Sequence, residues 1–83
     1  MTNIKDQYLL LKKSSLGLRY LEFHWRVVKA LTNWEGRHGR GLSALCQHLD
    51  GSTQRWRRSD VLRYATKVEL IEAQRTMPPE AKE

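Results

Sequence analysis

The stretch Leu42-Ser43-Ala44-Leu45-Cys46-Gln47-His48-Leu49-Asp50-Gly51-Ser52-Thr53-Gln54-Arg55-Trp56-Arg57-Arg58 decides how this chain is read. Ser43 is a good helix N-cap, because its hydroxyl can accept from an unpaired amide of the first turn. Leu45, Cys46 and Leu49 then fall on one face of a two-turn helix, with Leu42 just before the cap. Asp50-Gly51-Ser52 breaks the chain, and Ser52 or Thr53 can cap a second helix running on to Lys67. The first half of that second helix is basic and polar. Its apolar residues, Val61, Leu62, Ala65 and Val68, come later.

Working outward, the spacing predicts a long helix from Leu18 to Trp34. Leu18, Leu21, Trp25, Val28 and Leu31 form one apolar stripe, and Phe23, Val27, Ala30 and Trp34 a second. Two stripes imply burial on more than one side, as in the central helix of a bundle or a helix meeting a second subunit. Ile4, Tyr8 and Leu11 predict a shorter helix over Ile4 to Lys13, interrupted by Ser14-Ser15-Leu16-Gly17. Glu35 to Gly41 carries three glycines with Arg37 and Arg40, which reads as a flexible basic loop. Val68 to Ala73 fits a strand or a helix continued to Arg75, and the lack of Gly or Pro before Pro78 favours helix. Residues 1–76 are therefore expected to form one domain, and residues 77–83 a disordered polar tail.

The formal net charge is +6 in 83 residues, and it is unevenly placed. From Arg19 to Lys67 there are ten Lys and Arg against four acids, so all the excess lies there. A compact basic region attracts polyanions, because phosphates neutralised by Lys and Arg release their counterions. The one cysteine, Cys46, cannot form an intrachain disulfide and points to a reducing, cytoplasmic setting. The apolar run Tyr8 to Leu11 is too short for a signal segment or a membrane span. A core this small gains from a second subunit, so a homodimer is expected.

A short helix, a tight turn and a basic helix make a helix-turn-helix layout. Leu42, Ser43, Leu45, Cys46, Leu49 and Ser52 resemble the helix-turn-helix core of winged-helix bacterial transcription regulators over residues 18 to 73. The resemblance implies a mainly α fold: a small helical domain with a helix-turn-helix, or a degenerate winged helix whose wing is absent or replaced by helix. It also implies sequence-specific binding of double-stranded DNA by a small regulator of bacterial, plasmid or phage type. Thr53, Gln54, Arg55, Arg57 and Arg58 would carry the recognition end. Gln54 suits adenine, and arginine suits guanine or phosphate. Arg63 and Lys67 would lie further along on phosphates, with Arg37 and Arg40 contributing from the loop.

Trp56 has two readings: a core anchor, or an exposed ring that stacks on an unpaired base and favours RNA. Another alternative is a small inhibitor of a mobile element that binds an acidic patch on a host protein. No catalytic set is visible, because the acids are scattered and no phosphate-binding glycine motif occurs. His24, His38, His48 and Cys46 are the only soft ligands and lack metal-site spacing, so no metal or cofactor is expected.

Overall fold

In a computed structural model the fold is predominantly antiparallel β-sheet, which overturns the mainly α expectation. The structure describes residues 3–17, 22–36 and 41–77. Among the described residues there are six strands: β1 (Tyr8–Leu11), β2 (Val27–Ala30), β3 (Glu35–Gly36), β4 (Leu42–His48), β5 (Thr53–Arg57) and β6 (Val61–Tyr64). An α-helix, α1 (Lys67–Thr76), follows them. Short 3-10 turns occupy Lys13–Ser15, Phe23–Arg26 and Arg58–Asp60.

The decisive stretch is a β-hairpin, not a helix-turn-helix. Along β4, Ala44, Cys46 and His48 are buried while Ser43, Leu45 and Gln47 are partly exposed, a period of two. β5 answers with Trp56 buried between exposed Arg55 and Arg57. Asp50-Gly51 supplies the turn: Gly51 N–H donates to His48 O at 3.0 Å, and His48 N–H donates to Ser52 O at 2.8 Å. Gly51 sits at φ +95°, where a side chain is strained. The leucine spacing at 42, 45 and 49 matches a helical face, but cross-strand pairing and this turn prevail.

The other helical expectations fail in a similar way. Tyr8–Leu11, expected within a helix, is β1. Within the expected helix from Leu18 to Trp34, Phe23–Arg26 is a 3-10 turn and Val27–Ala30 is β2, while residues 18–21 lie outside the described set. The parts of the two stripes that fall on β2 are buried on opposite faces of that strand, Val28 and Ala30 on one and Val27 on the other. The segment expected to continue as helix from Gln54 to Lys67 contains β5, a 3-10 turn and β6. Only its continuation beyond Thr66 is helical. Thr66 Oγ1 accepts from Glu69 N–H at 3.1 Å, and Glu69 accepts from Thr66 N–H at 2.9 Å, closing a capping box. The expected tail lies outside the described residues, except for buried Met77.

Ser43 pairs with Glu35 on one edge and Arg57 on the other, and Gln47 likewise with Lys29 and Thr53. β2 and β3 are thus one interrupted row along β4, and the rows run β5, β4, β2/β3, β1, β6. The interruption at Leu31–Trp34 is sealed by Leu31 N–H to Leu45 O at 2.7 Å and Leu45 N–H to Thr32 Oγ1 at 3.1 Å. In a flat sheet the outer rows would stand ~19 Å apart. The link from Arg57 to Val61 spans at most ~14 Å, and less as a 3-10 turn. The sheet must therefore curl towards a barrel.

Inside the curl lie Leu9, Leu11, Val28, Ala30, Ala44, Cys46 and Trp56, and Ile4 packs with them. Outside β1 and β2 a second cluster joins Leu10 and Val27 to Ala73 of α1, with Phe23, Leu49 and Leu70 around them. Both faces of β1 are thus covered, which is why Leu9, Leu10 and Leu11 are all apolar and all buried.

Candidate functional site

Hairpin pairing sorts the side chains of β5 onto two faces. Thr53, Arg55 and Arg57 pair with Gln47, Leu45 and Ser43 and face outward, and Lys29 of β2 adjoins Gln47 in the same layer. β5 pairs only with β4 among the described strands, so this face lies along a sheet edge. α1 packs instead over β1 and β2. Arg55 Nη1 donates to Ser43 Oγ at 3.2 Å and stands 3.6 Å from Glu35 Oε1, with both charged groups about half exposed. Such a pair is weakly held and readily exchanged. Arg57 is exposed, and its backbone N–H donates to Asp60 Oδ2 at 3.1 Å. Arg58 is exposed at the start of the next turn.

The remaining expected contacts are dispersed. Arg63 lies on β6 and grips Glu69 with two bonds of 2.5 and 2.9 Å. The hydrogen bond from Arg63, helped by the Thr66 N–H, pulls the Glu69 carboxyl down to about 2, so this guanidinium is already committed. Lys67 is exposed on the first turn of α1. Arg37 and Arg40 lie outside the described residues. Gln54, expected beside the arginines, faces the opposite way, towards Trp56 and His48.

That opposite face opens as a cleft of about 330 Å³ lined by Leu16, Trp25, His48, Asp50, Gln54 and Trp56, together with the Ser52-Thr53 segment. Trp56 is 7% exposed and belongs to the core cluster, which supports its anchoring role, and it also lines the cleft. His24, Trp25, His48 and Trp56 form a continuous row of rings with successive centroids 4.9, 5.3 and 5.9 Å apart. His48 Nδ1 and Trp56 Nε1 are buried with no hydrogen-bond partner. His24 Nδ1 lies 3.3 Å from Glu22 Oε2 but lacks the alignment of a hydrogen bond. Burial pushes His48 below the ordinary imidazole value, against the pull of Asp50. Burial works against ionisation of Asp50, but Ser52 outweighs it through its N–H and hydroxyl, at 2.9 and 2.6 Å, and holds the carboxyl low.

Sequence reasoning missed this cleft because its residues come from separate segments and none forms a motif. Cys46 is fully buried and its thiol is pushed up to about 11 by burial, so it is a core residue without nucleophilic character. Among the described residues no three His, Cys, Asp or Glu side chains gather into a metal-binding group. No described helix is long and apolar enough to cross a membrane. No protein-family model, curated protein or solved structure matches the chain.

Proposed function

We propose that this chain is a nucleic-acid-binding domain that grips phosphates with the outward face of the β4–β5 hairpin. The observation that carries the proposal is the pair Arg55 and Arg57, exposed two residues apart on an edge strand, with Lys29 in the same layer. The net charge of +6 supports it, because it draws polyanions from a distance. Binding through the sheet face replaces the helix-in-groove mode. α1 turns Ala73 and Leu70 to the sheet, and Glu69 and Glu72 on it stand beside Arg63 and Arg75. Beside a binder of single strands or RNA, a small cytoplasmic regulator of duplex DNA is the other specific form of the proposal. Preference for one duplex over random duplex is its mark.

Fluorescence anisotropy with labelled RNA, single-stranded DNA and duplex DNA tests it, with salt varied at each. Affinity is expected to fall steeply with salt, and Arg55→Glu with Arg57→Glu to abolish most of it. Equal binding by wild type and double variant would remove the proposal.

A self-association reading has its own observation. Leu62, Tyr64, Val68 and Ile71 are 52%, 47%, 75% and 48% exposed, and β6 pairs only with β1 among the described strands. A second copy pairing antiparallel along this apolar edge would form a two-fold dimer. Sedimentation equilibrium of wild type and Leu62→Asp decides it: a dimer made monomeric supports it, and a wild-type monomer removes it.

A further inference from the structure

We propose that the cleft between Trp25 and Trp56 is a nucleobase site, so that the domain takes one unpaired base from the strand it binds. The phosphate half of this assignment rests on the proposed interface; the base half rests on the cleft alone.

The lining sets the chemistry. Among the described residues no Lys or Arg lines the cleft, and Asp50 is the one acidic group there. Its carboxylate repels an anion, which disfavours a phosphate in the cleft itself. Indole rings offer apolar flat surface, and every base has a π-face to lay against it. The Gln54 side chain already bonds His48, so its amide turns mainly donors to the cleft, and the Asp50 carboxylate adds acceptors. That alternation of donors and acceptors around a planar ring suits the edge of a nucleobase. The wall itself is polar where a closed core would not be. His48 is only 5% exposed and keeps an unpartnered Nδ1, and Trp56 an unpartnered Nε1. Buried polar atoms without partners are rare in folded proteins, and two of the three among the described residues belong to side chains that line this cleft. Its volume of about 330 Å³ falls in the range of small-ligand sites.

Position supplies the link. Gln54 and Trp56 alternate along one strand with Arg55 and Arg57. A phosphate on Arg55 therefore lies one residue along the chain from the cleft wall, on the other face of an edge strand. A single strand can bend over that edge; a base held in a duplex cannot leave its pair without unstacking. A small quaternary cation is the competing ligand for an aromatic and acidic cleft. The +6 charge of the chain opposes it, and it cannot use the Gln54 amide.

The test is titration of the full chain with the four nucleoside monophosphates, ribose 5-phosphate and choline, followed through the indole N–H signals of its three tryptophans. At least one nucleotide is expected to move the Trp25 and Trp56 signals while Trp34 stays. Gln54 is exposed, so Gln54→Ala leaves the fold intact; it should weaken that nucleotide about five-fold, and Gln54→Glu at least as much. The assignment is overturned if no nucleotide moves those signals, or if ribose 5-phosphate or choline moves them equally. Salt-dependent oligonucleotide binding without a nucleotide response would remove the base site and leave the Arg55–Arg57 interface. A nucleotide response without oligonucleotide binding would do the reverse.

Discussion

Trp56 stands directly across the hairpin from Ala44, and this one pair fixes which way Arg55 and Arg57 point. The large ring enters the core where its partner has only a methyl group. A slip of one residue in register would bury the two guanidiniums and expose the indole. The basic face is thus a consequence of core packing.

Removing the ring should therefore damage the whole domain. Trp56→Ala is expected to lower stability by about 3–5 kcal/mol, and Ala44→Leu by about 1–3 kcal/mol through overpacking. Urea unfolding followed by far-UV circular dichroism measures both. An unchanged midpoint for Trp56→Ala would place the ring on the surface.

The turn should be sensitive to one methyl group. At Gly51 an added Cβ meets no atom within 4 Å, so only the φ of +95° opposes it. Gly51→Ala should lower stability by about 1–2 kcal/mol, read from the same unfolding midpoint.

Acid should weaken the fold through two groups acting in one direction. Glu69 is depressed to about 2, so its contribution is present above the ordinary carboxylate range and fades as pH falls towards 2. His48 is held below the ordinary imidazole value, so it favours the fold while both states are neutral. That advantage is lost as pH drops below about 6.5, where the unfolded chain takes up the proton first. Urea midpoints measured from pH 7.5 to 3 should fall. Glu69→Gln should flatten the lower part of the curve and His48→Gln the upper part.

The buried thiol should report global opening. Cys46 is fully buried, so a thiol reagent should label it only as fast as the domain unfolds. Matching labelling in native buffer and in urea would contradict the packing of β4.

Much of this was legible in the sequence once two signals are weighed correctly. Asp50-Gly51 is a strong hairpin turn, and Ala44, Cys46, His48 against Ser43, Leu45, Gln47 alternates as a strand does. Both were masked because Leu42, Leu45 and Leu49 also fit a helical face, and because the inward set contains a histidine and an alanine in place of large aliphatics. The run Tyr8–Leu11 likewise fits a strand buried on both faces, a pattern that periodicity alone does not separate from helix. The helix ending before Pro78 and the basic middle of the chain follow from local chemistry and were readable, whereas Trp56 kept two readings until its place on β5 put the ring in the core. The cleft was not, because Trp25, His48 and Trp56 meet only after three separate segments fold together.

Whether Arg55 and Arg57 contact nucleic acid is decided by NMR titration of the labelled chain with a short single-stranded oligonucleotide. The expected result is movement of the Arg55 and Arg57 Nε–H signals and the β5 amides, reversed by salt, while α1 stays unmoved. Shifts confined to Leu62, Tyr64, Val68 and Ile71, or no shifts at low salt, would contradict it.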